Sequence, residues 1–399
     1  MDRCKKILIL GANYTQLPLI KRAKEMGLFV CVASIPGEYP GFKIADKVFY
    51  IDTTDKNGIY EVCKSEHIGG ICTTGTDVAV RSIGFVNSAL GLNGISNESS
   101  ILATDKAKMK EAMTANGVNT AEFFVCYSFE DAKKAAEKIG YPVMVKTVDQ
   151  AASKGISKVY KGSDLEAAYA NALSWTKKSY IVVERCLNGK EIGLDGFVDK
   201  NGECTIFLHN KLVYNNGQTD VPIGHSIPFK GENDIICKTI EIAEKCVEAM
   251  KMRSVFFNMD LIIEDGKPYV LEIGGRSGST GLPEMISAYC GFDYYEKMIQ
   301  NALGYDVDMS YTPKTACAVG FLRSERRGGG KVVAVDFDKL NSFESTSYKL
   351  DFSIGDTVRE FKFGSDRIGS VVCTSDNIES VERTFSEFQK AFQNSIKYD

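Results

Sequence analysis

Short apolar runs alternate with amphipathic stretches of helical length through the first hundred residues. The apolar runs ILILGA, LFVCVAS, KVFYID and GGICTTG are predicted strands, and helices are predicted over 17–26 and 58–66. Strands separated by segments of helical length indicate right-handed crossovers and a parallel sheet. The pattern predicts a Rossmann-like domain over residues 1–100.

A second block, residues 101–187, again mixes strand and helix patterns. It begins with a helix that carries Lys106 and Lys110, and its predicted strands are AEFFVCY, PVMVKTV and YIVVERC. Helices are predicted over 131–139 and 164–176. We interpret the block as a small α+β lid preceded by a linker helix.

The remaining chain predicts two further blocks. Residues 188–310 are strand-rich, with helices predicted over 234–252 and 283–303. Residues 311–399 combine the strands ACAVGFL, KVVAVDF and GSVVCTS with a final helix and predict a small C-terminal α/β domain. A chain of 399 residues with 44% hydrophobic content is long enough for several domains, each with its own core. The fold class is therefore α/β.

Charge and cysteine content exclude several classes of partner. Lys and Arg total 48 against 52 Asp and Glu, so a net charge of −4 gives no general attraction to nucleic acid or to anionic membranes. The apolar run 7–10 is too short for a signal-peptide core or a membrane span, and we expect a cytoplasmic protein. The twelve cysteines form no CxxC pair and are interpreted as reduced thiols.

The first turn of the Rossmann-like block reads GANYTQ and lacks GxGxxG, so the usual dinucleotide site is not predicted. Ligands of such sheets gather at the carboxyl ends of strands, which are residues 11–13, 34–38 and 73–77. These residues are expected either to contact substrate or to serve only as turns.

The most informative segment is NMDLIIEDGKPYVLEIGGRSG, residues 258–278. It predicts two strands joined by the turn Asp265-Gly266, with Asp260 and Glu272 side by side. Paired carboxylates repel each other unless a cation lies between them, and Mg²⁺ prefers such oxygen ligands. Arg276, four residues beyond Glu272, suggests a phosphate as the metal's other partner. The alternative is a surface hairpin whose charges face water.

Four segments together resemble a known family. ATDKAKMK, YPVMVKTVDQAASKGI, IVVERCLNGKEIG and the acidic hairpin resemble, in this order and spacing, the ATP-grasp superfamily of carboxylate-amine ligases, from about residue 5 to about residue 310. The resemblance implies an ATP-grasp fold with an N-terminal Rossmann-like (pre-ATP-grasp) domain, an α+β lid, a strand-rich central domain and a small C-terminal domain.

The resemblance also assigns the ATP contacts. Lysines hold the phosphates, main-chain atoms of the hinge after Glu184 bind adenine, and a carboxylate seven residues beyond Glu184 holds the ribose. The small residues of DQAASKGI let backbone amides approach the phosphates, although a surface turn is the common alternative. The assigned residues are Lys106, Lys146, Ser153, Lys154, Gly155, Glu184, Cys186, Leu187 and Glu191.

The same resemblance makes Asp260 and Glu272 the ligands of Mg²⁺, with Mn²⁺ as an alternative ion. Many family members place an asparagine two residues after the second carboxylate, where this chain has Gly274, so the number of ions stays open. Arg276 and Lys146 are the implied catalytic residues, and Arg276 holds the transferred phosphate.

Substrate contacts are assigned to two strings. GHSIP resembles a GHxxP segment of amino-acid ligases and points to His225, although Pro222 stands where an acidic residue is usual. A loop or buried histidine is the alternative. The run after Arg276 offers backbone and hydroxyl donors for a carboxylate or phosphate, or is a turn required sterically. Its residues are Ser277, Gly278 and Ser279.

The predicted activity is an ATP-dependent ligation of a carboxylate to an amine through an acyl phosphate, with release of ADP and phosphate. One alternative is a purine-biosynthetic ligase of the phosphoribosylglycinamide synthetase type, although the RFGDPE-like string of those enzymes is missing. Another is a catalytically silent, ATP-binding regulatory protein. The expected partners are small molecules, neither nucleic acid nor membrane, and a homodimer is compatible with the family.

Overall fold

The computed structural model describes residues 6–150, 154–215, 220–362 and 364–399. The chain forms two compact units. The first contains Met1–Ile206, Gly231–Ser277 and Tyr295–Met309, and the second contains Phe207–Lys230, Gly278–Tyr294 and Ser310–Asp399. The second unit therefore combines the C-terminal segment with two earlier ones. The division into four domains at residues 100, 187 and 310 stays a prediction.

The N-terminal part has the predicted parallel sheet. Its strands lie in the order β3-β2-β1-β4, and all neighbours are parallel. β1 is a continuous apolar run because helices cover both faces of such sheets. The elements are β1 (Lys6–Leu10), α1 (Leu17–Glu25), β2 (Phe29–Ser34), β3 (Lys47–Tyr50), α2 (Lys56–Ser65), β4 (Gly70–Cys72), α3 (Val80–Leu90), α4 (Asn97–Leu102) and α5 (Lys106–Ala115).

The predicted elements of the lid are also present. They are β5 (Phe123–Cys126), α6 (Phe129–Ile139), β6 (Val143–Lys146), β7 (Ser157–Val159), α7 (Leu165–Trp175) and β8 (Ile181–Arg185). The strands form an antiparallel sheet in the order β5-β8-β6-β7. α6 begins with a capping box between Ser128 and Asp131, which satisfies two backbone amides at the helix start. Small residues of α6, including Ala132 and Ala136, pack against Val143 and Val145 of the sheet.

The acidic hairpin is confirmed. The next elements are β9 (Lys190–Val198), β10 (Cys204–Asn215), β11 (Asp220–Ile227), α8 (Asn233–Ala249), β12 (Val255–Glu264) and β13 (Lys267–Gly274). In the first unit, β12 lies between β9 and β13 and is antiparallel to both. Asp265 and Gly266 both have positive φ, 50° and 70°, which is the conformation that a two-residue hairpin turn requires.

The helical run predicted over 283–303 is two helices, because Gly291 takes a left-handed conformation at the end of the first. The C-terminal elements are α9 (Leu282–Cys290), α10 (Tyr294–Ala302), β14 (Ala316–Leu322), β15 (Gly330–Val335), α11 (Phe337–Asn341), β16 (Thr346–Leu350), β17 (Thr357–Val358), β18 (Gly369–Ser375), α12 (Ile378–Ser395) and β19 (Ile396–Tyr398). The second unit has the strand order β10-β11-β14-β18-β16. Phe385, Phe388 and Phe392 of α12 belong to its apolar core.

The described residues also show the state of the cysteines and the character of the helices. Every cysteine among them is a free thiol, as predicted. None of their helices combines the length and the apolar content needed to cross a bilayer.

Candidate active site

Lys106 meets Glu272 of the acidic hairpin. Lys106 is the first residue of α5, and the helix start is fixed by Asp105, which accepts hydrogen bonds from two backbone amides at 3.1 and 3.3 Å and from the Tyr180 hydroxyl at 2.6 Å. Lys106 Nζ lies 2.9 Å from Glu272 Oε2 and donates to the Gln150 carbonyl at 3.0 Å. A predicted phosphate ligand and a predicted metal ligand are thus brought together.

Both members of this pair carry their charge at neutral pH. The Lys106 ammonium lowers the pKa of Glu272 to about 2, and the charges of Lys146 and Arg276 act in the same direction. Burial would lower the pKa of Lys106, but the carboxylates of Glu272 and Asp77 outweigh it and raise that pKa. Glu272 is therefore available as an anionic ligand.

Asp260 and Glu272 are directly opposite each other in the register of β12 and β13. Such cross-strand neighbours have Cβ atoms roughly 4.5–5.5 Å apart, so the two carboxylates share one small volume. Across the part of the chain that the structure describes, no group of three or more His, Cys, Asp or Glu side chains is arranged to hold a metal ion. An ion at this pair would take its remaining oxygen ligands from phosphate or water.

Glu184 lies between two lysines in the interior. Lys110 Nζ is 2.7 Å from Glu184 Oε2, and Lys146 Nζ forms an ion pair with Glu184 Oε1. The side chains of Glu184 and Lys110 are each only 2% exposed. Burial opposes the charge of Glu184, but Lys146 and Lys110 outweigh it and lower its pKa; burial lowers the pKa of Lys110. The side chain of Glu184 thus holds Lys146 in place, a contact that the adenine assignment did not include.

The predicted hinge is held by a carboxylate that sequence analysis missed. Glu264, the last residue of β12, accepts from the Asn188 amide and from Arg185 Nη2, both at 2.7 Å. The Cys186 amide donates to the Pro142 carbonyl over 3.4 Å, and Leu187 is buried. Apart from its proximity to the hairpin turn, nothing in the sequence marks Glu264 for this role. Glu191 lies exposed on β9, opposite Ile262 of β12.

In the predicted phosphate loop, residues 151–153, and with them Ser153, lie outside the described residues. The Thr147 hydroxyl donates to the Lys154 carbonyl at 3.0 Å, and Lys154 Nζ stands 5.6 Å from the centre of the Trp175 ring. Gly155 has φ +67°, and a Cβ there would lie 2.4 Å from the Thr147 methyl group. Only glycine fits this turn.

Arg276 follows the end of β13 by two residues and is held on several sides. Its Nη2 donates to Asp77 Oδ2 at 2.6 Å, and its Nη1 donates to the Ser277 carbonyl at 3.2 Å and to Asn258 Oδ1 at 3.4 Å. Burial opposes the cation, but Asp77 outweighs it and raises the pKa of Arg276. The buried Nε has no hydrogen-bond partner among the described residues, and an oxygen of a bound anion would satisfy it. Asp77 belongs to one of the predicted strand ends, residues 73–77.

Behind Arg276 lies Asp195, a wholly buried residue of β9. It accepts from Asn258 Nδ2 at 2.8 Å and from the Ser277 hydroxyl at 3.1 Å. The Gly75 amide donates to the Ser277 carbonyl at 3.1 Å. Asp195 was not among the predicted residues, and its one signal in the sequence is a carboxylate inside the apolar strand EIGLDGFV.

The predicted substrate residues divide between the two units. Ser277 belongs to the first, and Gly278, Ser279 and His225 belong to the second. The Ser279 and Thr280 hydroxyls are 3.3 Å apart. His225 is buried on β11 with its ring 4.6 Å from that of His209, and burial holds the pKa of His225 well below its ordinary value. The imidazole is therefore neutral near pH 7, and its contact with substrate stays a prediction.

Known proteins are similar to this chain in sequence. A family model described as D-ala D-ala ligase C-terminus matches residues 113–303. The formate-dependent phosphoribosylglycinamide formyltransferase of Prochlorococcus marinus is 25% identical over 298 residues, covering 71% of this chain and 72% of that protein.

Solved structures match along the whole chain. Phosphoribosylglycinamide synthetase from Anaerococcus prevotii is similar with a TM-score of 0.81 at 25% identity, covering 99% of both chains. The L-amino acid ligase from Bacillus licheniformis is similar with a TM-score of 0.83 at 19% identity, covering 100% of both chains. The predicted fold and family are confirmed: the chain is an enzyme of the ATP-grasp superfamily of carboxylate-amine ligases.

Proposed function

We propose that this enzyme uses ATP to phosphorylate a carboxylate and then transfers the acyl group to an amine, releasing ADP and phosphate. One observation carries the proposal: Glu272 lies opposite Asp260 on paired strands and 2.9 Å from Lys106. A free carboxylate is a poor electrophile, and phosphorylation gives it a leaving group. The attack on the γ-phosphorus needs the phosphate charges neutralised and held in line with the attacking oxygen.

Two lysines, Lys146 and Lys106, are proposed to bind the nucleotide phosphates, and each is held by a carboxylate. Lys146 is kept in place by Glu184, and Lys106 by Glu272. Main-chain groups of Cys186 and Leu187 would bind adenine, and Glu191 the ribose. The loop that contains Lys154 and Gly155 would cover the phosphates with its backbone amides. Ser153 keeps its assignment to this loop as a prediction.

Asp260 and Glu272 fit a hard divalent ion, Mg²⁺ or Mn²⁺, because both are oxygen ligands and Glu272 is ionised. Such an ion would neutralise negative charge on the β- and γ-phosphates of ATP. Gly274 supplies no ligand from its position, so the protein itself offers two carboxylates on the hairpin.

Arg276 is proposed to hold the transferred phosphoryl group and the acyl phosphate. Its guanidinium stays cationic because Asp77 raises its pKa, and its buried Nε is a donor that a phosphate oxygen can satisfy. His225, Ser277, Gly278 and Ser279 are the proposed substrate contacts. The Ser277 hydroxyl already donates to Asp195, so Ser277 also fixes the loop beside Arg276.

A purine-biosynthetic ligase is the second candidate. Phosphoribosylglycinamide synthetase from Anaerococcus prevotii supports it, because it matches 99% of this chain at 25% identity. In that case the acyl donor would be an amino acid and the acceptor a phosphoribosylamine. We also propose a cytoplasmic location and, by analogy with the family, a homodimer.

The discriminating experiment measures ADP release with ATP, Mg²⁺ and pools of amino acids, and separately with glycine plus phosphoribosylamine. Turnover with amino acids alone supports an amino-acid ligase. Turnover only with the phosphoribosylamine supports the second candidate. If no carboxylate and amine pair gives ADP above the rate of a Glu272→Gln control, the ligase proposal is wrong and a silent nucleotide-binding protein remains.

A carboxylate labelled with ¹⁸O tests the acyl phosphate directly. One ¹⁸O atom per turnover is expected in the released phosphate, because the attacking carboxylate oxygen leaves with it. Phosphate without label would contradict the proposed intermediate.

A further inference from the structure

Position 274 has no side chain, although the family resemblance places an asparagine there. Gly274 is the last residue of β13, two residues beyond Glu272 and therefore on the same face of the strand. A Cβ built on Gly274 would lie 2.9 Å from Asp77 Oδ1, closer than real Cβ contacts allow. The space that a side chain at 274 would enter is thus taken by the carboxylate of Asp77.

The other oxygen of the same carboxylate holds Arg276. Arg276 Nη2 donates to Asp77 Oδ2 at 2.6 Å, and only 14% of the arginine side chain and 27% of the aspartate side chain are exposed. A short, charge-assisted hydrogen bond in a sheltered place restricts the guanidinium far more than a surface ion pair does. On the other side, Nη1 donates to Asn258 and to the Ser277 carbonyl.

Asp77 itself is fixed by its backbone. The Val80 amide donates to the Asp77 carbonyl at 3.1 Å, and the Gly75 amide donates to the Ser277 carbonyl at 3.1 Å. The segment after β4 is therefore tied to the loop that carries Arg276. Nη1 uses both of its N–H groups and Nη2 uses one, so the donors of Arg276 left for a ligand are the second N–H of Nη2 and Nε, which is buried and has no partner among the described residues.

We propose that Asp77 is a positioning residue that takes the place of the missing side chain at 274. It fixes the orientation of Arg276 and directs Nε toward the group being transferred. Position 274 must be glycine because the carboxylate of Asp77 needs that space. This inference rests on the proposed function only in giving Arg276 the phosphoryl group as its ligand.

The test is a double-mutant cycle between the two positions. Asp77→Asn should lower kcat by roughly 10- to 100-fold, since a misplacement of about 1 Å can cost ~10²-fold. Gly274→Asn alone should be at least as damaging because the new side chain collides with Asp77. The two losses should not multiply: the kcat of Asp77→Asn/Gly274→Asn should equal that of Gly274→Asn alone, because both substitutions displace the same guanidinium.

Two matched controls come from the hairpin tip. Gly266→Asn adds the same side chain where nothing lies within 4 Å of the new Cβ, and asparagine accepts the left-handed conformation there. Asp265→Asn removes a carboxylate without touching Arg276. Both controls should keep wild-type kcat and KM.

A readout independent of turnover separates this inference from the proposed function. The Nε–Hε resonance of Arg276, assigned through Arg276→Lys, should shift in Asp77→Asn and stay in place in Asp265→Asn. If the wild type shows no ligase activity, the proposed function is wrong, but the orientation of Arg276 is not affected. An unmoved Nε resonance in Asp77→Asn, or full activity of Gly274→Asn alone, would overturn the positioning role.

Discussion

Two sets of ion pairs in the first unit differ in how far water reaches them. Lys110, Glu184 and Lys146 form a buried set in which Lys146, at 11%, is the most exposed side chain. In the hairpin pair Lys106–Glu272, the lysine is 14% exposed and the glutamate 45%. The buried set is sheltered from water. The hairpin pair is open to water at Glu272, so we propose that it opens when a cation and a phosphate bind.

The difference suggests separate roles for the two sets: the buried set fixes the position of a lysine, and the hairpin pair can exchange its partners for ligands. A buried ion pair is costly to form and more costly to break, so the set around Glu184 fixes where Lys146 lies. The pair at the hairpin joins the proposed metal ligand Glu272 to the proposed phosphate ligand Lys106, and the two neutralise each other in this structure. We infer that Glu184 and Lys110 serve the architecture of the site by holding Lys146, and that the Glu272 pair serves its chemistry.

The largest expected effect is on folding. Glu184→Gln should lower the free energy of unfolding by about 3–5 kcal/mol, because two buried lysines lose their shared counter-charge. Urea unfolding followed by circular dichroism measures this change. Glu166→Gln, at an exposed position on α7, is the matched control and should change stability by less than ~0.5 kcal/mol. A loss below ~1 kcal/mol for Glu184→Gln would mean that the set is not structural.

Glu272→Gln should show the opposite profile. We expect turnover to fall by at least ~10²-fold, because the variant loses a charged metal ligand, while urea unfolding changes little. Steady-state ADP release measures the first quantity, and Asp265→Asn on the same hairpin is the control. Near-normal turnover would remove Glu272 from the metal site, and a stability loss as large as that of Glu184→Gln would erase the contrast between the two sets.

Lys106→Met should weaken nucleotide binding without unfolding the protein. A hydrogen bond from a charged group contributes roughly 1.5–3 kcal/mol, so the Kd for MgADP should rise by about 10- to 150-fold. Calorimetric titration of each variant with MgADP measures this rise. Lys108→Met, on the same helix at an exposed position, should bind like the wild type. An unchanged Kd for Lys106→Met would contradict the assignment of Lys106 to the phosphates.

The smallest expected effect is a loss of folding stability at acid pH. The pKa of Glu272 is about 2 in the folded protein and roughly 4.3 in an unfolded chain. As the pH falls below about 4.3, Glu272 is therefore protonated in the unfolded chain before it is protonated in the folded protein. The contribution of Glu272 is therefore complete above about pH 4.3 and disappears as the pH falls toward 2. It should stay below ~1 kcal/mol, because nearly half of the side chain is exposed.

Urea titrations of the wild type and Glu272→Gln between pH 5 and pH 3 measure this loss of stability. The stability difference between the two proteins should shrink as the pH falls. A constant difference would mean that Glu272 is not ionised beside Lys106.

The fold and the local chemistry of the site could be predicted because they depend on short segments. Alternating apolar runs predicted the parallel sheet, and the Asp265-Gly266 turn predicted the pairing of the two hairpin strands. The turn alone would pair Asp260 with Leu271, and a register shift between Asp260 and Leu261 brings Asp260 opposite Glu272. Helical periodicity was less reliable over 283–303, where Gly291 divides the run into two helices.

The partners of the predicted residues could not be found in the same way. Arg276 and Asp77 are 199 residues apart in the chain, and Arg185 and Glu264 are 79 apart. Lys110 carried no motif of its own, and Asp195 stands in a strand that otherwise looks apolar. Such contacts depend on how separate elements pack, which no local pattern encodes. Gly274 was visible as a departure, but its cause, the carboxylate of Asp77, required the tertiary structure.

One structure determination tests the central contrast most directly: a crystal of this enzyme with Mg²⁺ and a non-hydrolysable ATP analogue. We predict a metal ion between Asp260 and Glu272, Lys106 moved from Glu272 to a phosphate oxygen, and the contacts of Glu184 with Lys110 and Lys146 unchanged. Nucleotide bound with the Lys106–Glu272 pair still closed, or with the Glu184 set rearranged, would contradict the account.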